Sequence, residues 1–220
     1  MKLLERFVNG SADDRAYSRI CRSTAINFAY AVFRAIMGSL HSSVWYLSSA
    51  AYFFVLGIMR MMLAASYRKR AMYGAGYERG KYLLTGWLLL VLNIPMGGMT
   101  LLMIVTDTVS SYPGYTIYAS AAYTFYMITL SVINLFRFKK LKSRILSAAK
   151  ILDFVAAMMS VLILQNALIS EFSENSGDFR KLMNVLTGTG IYVIVIVLAI
   201  YMIINVKHEG KEKTDEQIGK

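Results

Sequence analysis

Six long apolar stretches limit what this chain can fold into. A helix needs about 20 mostly apolar residues to cross the hydrocarbon core of a bilayer. Because a lone strand in lipid would leave its backbone groups unpaired, each stretch is predicted to be a helix. The fold class is therefore an all-α membrane protein with a six-transmembrane-helix bundle. The six predicted spans are Thr24–Leu40, Val44–Ala65, Tyr82–Val105, Tyr115–Phe136, Ile145–Ile169 and Val185–Val206.

The basic residues predict the orientation, since Lys and Arg near span ends stay on the cytoplasmic side. If the spans alternate, 21 of the 24 basic residues fall on one side. This group includes Arg60, which we assign to the connection between the second and third spans. Acidic side chains mark the other side, namely Asp107, Glu171, Glu174 and Asp178. We predict a multi-pass protein of the cell membrane with both termini in the cytoplasm.

The same pattern accounts for the net charge of +11. Cationic span ends attract anionic lipid headgroups, so the predicted partner is a bilayer with anionic headgroups. Binding to nucleic acid is not expected. Residues 1–23 are predicted to form a cytoplasmic amphipathic segment, residues 24–206 the membrane domain, and residues 207–220 a charged, disordered cytoplasmic tail. The stretch Asn93–Gly98, which contains Pro95, predicts a kink in the third span.

Polar groups inside the spans are the candidates for function, since each is costly in lipid unless it is paired or faces water. Asp153 is the only acidic residue well inside a predicted span, and either Arg34 or Lys150 could pair with it. The candidate substrate pathway consists of Asp153, Tyr52, Ser49, Arg34 and Asn93. A plain helix-packing role for the same polar residues is an equal alternative. We predict no catalytic residue, no metal ligand and no cofactor.

The first predicted hairpin resembles the transmembrane domain of the cation diffusion facilitator (cation efflux) family. Asn27, Arg34, Gly38 and Ser43 fall at spacings that match that family, and Lys142-Ser143 opens the fifth span in a similar way. The resemblance implies a pairing of the third and sixth spans, a homodimer, and a substrate cavity between the second and fifth spans.

The ligand positions of that family are degenerate here. They fall on Tyr52 and Leu56 in the second span and on Leu152 and Ala156 in the fifth, and none of these side chains binds zinc. A shift of one residue would bring in Asp153 alone. The stretch after Val206 is a short charged tail and does not resemble the cytoplasmic metal-sensing domain of that family.

Three functions stay open at this point. The first is transport of a small solute or ion other than a transition metal through the cavity between spans 2 and 5. The second is a non-transporting pseudo-transporter that acts as a membrane scaffold or partner subunit. The third, an enzyme acting on lipids, is disfavoured because no nucleophile and base can be assembled in one leaflet.

Overall fold

The computed structural model of the chain describes residues 2–106, 114–137, 143–172 and 177–218. Every regular element within these ranges is an α-helix. The helices are α1 (Lys2–Leu40), α2 (Val44–Thr106), α3 (Gly114–Arg137), α4 (Arg144–Phe172) and α5 (Gly177–Ile218). The all-α prediction is confirmed.

Helix α2 contains the second and third predicted spans, and an interruption at Gly74 separates them. The backbone of Gly74 has φ 72° and is not helical. This left-handed conformation is one that glycine adopts without steric cost. The described residues thus form six helical segments: α1, a first arm of α2 (44–73), a second arm (75–106), α3, α4 and α5.

Four stretches of these helices are long and apolar enough to cross a membrane. They are Val44–Arg70, Gly114–Asn134, Arg144–Ile169 and Lys181–Val206. The predicted spans Thr24–Leu40 and Tyr82–Val105 are also helical, but among the described residues neither meets this requirement. Outward-facing side chains are apolar on several helices, with Ile94 71% and Val197 58% exposed, as expected for a lipid-facing surface.

The helix bounds correct one prediction, the disordered tail, and add detail to two others. Helix α1 runs without a break across residue 23, so the predicted N-terminal segment continues directly into the first span. Pro95 lies within the second arm of α2, where neighbouring groups can satisfy the backbone that proline frees in a membrane helix. The tail is helical as far as Ile218, since its Lys, Glu and Gln residues are good helix formers.

A four-helix unit, made of α1, the first arm of α2, α3 and α4, contains most of the core. Tyr30 of α1 stacks on Tyr123 of α3 with ring centroids 3.7 Å apart, and Phe53 of α2 packs edge-on against both rings. Leu56 and Leu152 are completely buried in the same core cluster. Spans 2 and 5 of the prediction therefore belong to one packed unit.

The second arm of α2 pairs with α5, which confirms the predicted contact between the third and sixth spans. Small residues allow the close approach. A Cβ atom added at Gly97 would lie 2.7 Å from Tyr192 Cε2, and one at Gly188 would overlap Thr100 Cγ2. In addition, the Asn93 amide donates a hydrogen bond to the carbonyl oxygen of Tyr192 at 3.2 Å.

Gly188→Ala is expected to lower the free energy of unfolding by about 1–3 kcal/mol, because the added methyl group overpacks the contact with Thr100. Gly190→Ala is the matched control two residues away. A Cβ atom there meets nothing within 4 Å, so the change should be neutral or stabilising by up to about 1 kcal/mol. Thermal unfolding of both variants in detergent tests this contact, and equal melting temperatures would contradict it.

The ends of several helices that carry basic residues lie together at one end of the bundle. The Arg68 guanidinium of α2 lies over the Tyr17 ring of α1, 4.7 Å from its centroid. Glu78, just after the interruption in α2, accepts hydrogen bonds from the Ser143 hydroxyl at 3.0 Å and the Arg144 amide at 2.9 Å. A carboxylate in this position stabilises the N-terminus of α4. We call this the basic end.

For some residues that entered the charge argument, the structure does not describe the side-chain surroundings. They are the acidic Asp107, Glu171, Glu174 and Asp178, the basic Arg137, Lys139, Lys140 and Lys142, and those after Val206.

Candidate functional site

Buried polar side chains lie at three levels inside the four-helix unit. Each of them is at most 6% exposed. On α1, Ser23, Asn27 and Arg34 follow one another at intervals of four and seven residues, which places them on one helix face. We call the whole set the core polar column. It consists of Ser23, Asn27, Arg34, Ser49, Arg60, Ser120, Tyr123, Thr124, Asn134, Asp153 and Ser160.

An ion pair between Arg60 and Asp153 lies at the level of the column nearest the basic end. Arg60 Nη2 is 2.9 Å from Asp153 Oδ1, and the two side chains are 1% and 5% exposed. Arg60 also donates to the carbonyl oxygen of Leu152 at 3.0 Å and to Ser23 Oγ at 2.6 Å. Asp153 accepts from Ser23 at 3.0 Å and from the Asn134 amide at 2.5 Å. All four helices of the unit thus supply a group to this one cluster.

The identity of this pair corrects the sequence-based assignment. The positions of the basic residues predict that Arg60 lies in a cytoplasmic connection, yet it is 1% exposed inside α2, and it pairs with Asp153 in place of Arg34 or Lys150. The sequence contains a signal that Arg60 is buried. Arg60 follows Tyr52 and Leu56 at intervals of eight and four residues, so it continues the buried face of the second span.

The middle level of the column connects α1, α3 and α4 through hydroxyl and amide groups. Tyr123 donates to Asn27 Oδ1 at 2.9 Å, and Tyr30 donates to Ser120 Oγ at 3.3 Å. Thr124 Oγ1 lies within hydrogen-bonding distance of the carbonyl oxygens of Ser120, at 2.7 Å, and of Ser160, at 3.1 Å. This level is neutral.

Arg34 forms the third level, about 16 Å from Ser23 by the rise of α1. It is 0% exposed. Its Nε and Nη2 atoms donate to Ser49 Oγ at 2.9 and 2.6 Å, and its guanidinium lies 4.2 Å from the centroid of the Tyr46 ring. Ser49 in turn donates to the carbonyl oxygen of Tyr46 at 2.9 Å. Within the described part of the chain, Arg34 has no carboxylate partner, and its Nη1 atom has no hydrogen-bond partner.

The other predicted pathway residues lie in different surroundings. Tyr52 is 2% exposed in the core and its hydroxyl has no hydrogen-bond partner among the described groups. Asn93 faces α5 and belongs to the helix pair, not to the column. Leu56, Leu152 and Ala156, at the positions of the family's metal ligands, are all 0% exposed. The structure therefore brings Asp153, Ser49 and Arg34 into one column and leaves Tyr52 and Asn93 outside it.

Comparisons with known proteins give no family for this chain: no protein-family model matches it, and no curated protein is similar to it. The function therefore has to be argued from the site itself.

The core polar column contains buried polar groups that are unsatisfied. Buried atoms without a hydrogen-bond partner occur at each charged or polar level: Asn134 Oδ1 and Arg60 Nε beside the ion pair, Asn27 Nδ2 in the middle, and Arg34 Nη1 at the far level. Such groups are costly inside a protein unless something binds them. With two arginines and one aspartate, the column carries one excess positive charge.

Proposed function

We propose that this protein is a transporter that moves a small solute or ion, other than a transition metal, through the core polar column. The observation that carries the proposal is the succession of buried, unsatisfied polar groups along the bundle core. Ionisable residues inside membrane helices commonly mark substrate or ion pathways, because lipid does not tolerate them otherwise. The resemblance of the first hairpin to cation efflux transporters favours the same class of function.

The charge of the column bears on the substrate. A cation would meet the uncompensated Arg34, whereas a small anion would be attracted to it. An ion that passes the Arg60–Asp153 pair must compete with the 2.9 Å contact between the two charged groups. We therefore favour a small inorganic anion or a neutral polar solute.

The orientation is part of the proposal. The basic end would face the cytoplasm, in contact with anionic headgroups, and both termini would lie on that side of the cell membrane. A homodimer, which the family resemblance implies, is compatible with this arrangement.

Ion uptake by proteoliposomes tests the proposal. The wild-type protein should take up chloride or nitrate faster than potassium, and faster than protein-free liposomes do. Asp153→Asn should reduce this flux tenfold or more, because it leaves the buried Arg60 without a counter-charge. Asp14→Asn removes the same charge from an exposed position and should have no effect. Equal flux in wild type and in protein-free liposomes, for all these ions, would contradict ion transport.

One observation favours the second candidate, a membrane scaffold or partner subunit that does not transport. The contact between α2 and α4 is filled by Leu56, Leu152 and Ala156, none of which is exposed, and the adjoining ion pair has a full set of partners for Asp153. A packed core of this kind needs no opening. This candidate is supported if liposomes with well-folded wild-type protein show no more flux than protein-free liposomes.

A further inference from the structure

A cavity of about 680 Å³ lies outside the core polar column and is lined by residues of α3, α4, α5 and the second arm of α2. Its volume is in the range of pockets that hold a drug-sized ligand. None of the column residues lines it, so it is a separate feature of the molecule. Its walls differ in chemistry from one end to the other.

The polar wall lies at the basic end. Ser147 and Lys150 lie in the first two turns of α4, which begins at Arg144. Tyr201 and Asn205 lie in the last turns of the apolar stretch Lys181–Val206 of α5. The charged member of this wall, Lys150, is half-buried. An anionic group at this end of the cavity would meet a cation and several hydrogen-bonding side chains.

The apolar wall continues from there toward the middle of the bundle. On α4 it runs from Ile151 to Val161, a length of about 15 Å at the rise of an α-helix. Ile128 of α3 and Leu198 of α5 form the opposite sides. Ile128 and Phe154, which are each 39% exposed, leave the cavity open toward the lipid-facing surface.

We propose that this cavity binds an anionic phospholipid of the same leaflet as the basic end. The headgroup phosphate would contact Lys150 and the hydroxyl and amide groups beside it, and one acyl chain would lie along Phe154, Met158 and Val161. Charge complementarity selects this occupant, since basic pockets between membrane helices hold anionic headgroups. The inference does not depend on transport through the column, because the two sites share no residue.

Lipid binding to the purified full-length protein tests the proposal. Dioleoyl phosphatidylglycerol and dioleoyl phosphatidylcholine, which have the same acyl chains, are titrated in detergent and counted by native mass spectrometry. The anionic lipid should bind several-fold more tightly. Lys150→Gln should weaken its binding about fivefold, as expected for one lysine near a phosphate, and should not change the binding of phosphatidylcholine. Lys69→Gln, an exposed position at the same end, is the matched control and should leave both affinities unchanged.

A second variant separates the headgroup from the chain. Met158→Trp adds bulk on the apolar wall and should weaken the binding of both lipids, while the melting temperature without lipid reports folding. Glycerol phosphate alone should bind much more weakly than the intact lipid. The proposal is overturned if the two lipids bind equally, if Lys150→Gln binds phosphatidylglycerol like the wild type, or if glycerol phosphate binds as tightly as the lipid.

Discussion

Arg60→Met and Asp153→Leu are each expected to lower the free energy of unfolding by about 3–5 kcal/mol, whereas the double variant should recover most of this loss. A single change leaves one charge buried without its partner, at a site where the two side chains are 1% and 5% exposed. The double change replaces the pair by apolar side chains of similar size. We expect the double variant to remain about 1–2 kcal/mol less stable than the wild type, because Ser23 and Asn134 lose their acceptor.

Thermal unfolding in detergent measures this cycle. Arg15→Met and Asp14→Leu, at exposed positions of α1, serve as the matched control and should each change stability by less than about 0.5 kcal/mol. Additive losses in the double variant at positions 60 and 153 would show that the two side chains do not form a buried pair.

Arg34→Met should have the opposite effect on stability, raising the free energy of unfolding by about 2 kcal/mol. Arg34 is buried without a carboxylate partner in the described part of the chain, and a lone arginine in a membrane costs about 3 kcal/mol or more. The loss of its bonds to Ser49 offsets part of the gain. Ser49 still donates to the carbonyl oxygen of Tyr46, so no new unpaired donor is created.

The same variant should lose anion flux by tenfold or more, since it removes the uncompensated cation of the column. A residue that lowers stability and supports flux is a functional residue. A purely structural residue would raise stability and would not be needed for flux. Unfolding and uptake are measured on the same preparation, with Arg15→Met as the control. This role would be contradicted if Arg34→Met were less stable than the wild type and took up anions at the wild-type rate.

The helices could be predicted from the sequence because a stretch of about 20 apolar residues is a local signal. Arg34 and Asp153 were identified for the same reason, since a single charge inside such a stretch is conspicuous. The partner of Asp153 could not be predicted. Arg60 is 93 positions away in the chain, and it lies close enough to the basic residues Arg68 and Arg70 to be counted with them.

Other features depend on contacts between distant segments. A break between Ala65 and Tyr82 is predicted from the spans, but its position at the single residue Gly74, with helix on both sides, needed the backbone conformation itself. The cavity that Lys150 lines is formed by residues from α2 to α5, so no local pattern could indicate it. Lys150 was noted only as a possible partner of Asp153, although it lines that cavity.

Anion uptake by the Arg60→Met, Asp153→Leu double variant tests the central claim, that the core polar column is a transport path, most directly. The fold of this variant should be intact, so a change in flux can be assigned to the loss of the charged pair. The account predicts that wild-type liposomes take up chloride or nitrate above background and that the double variant does not, at a melting temperature near that of the wild type. Uptake by the double variant at the wild-type rate would contradict it.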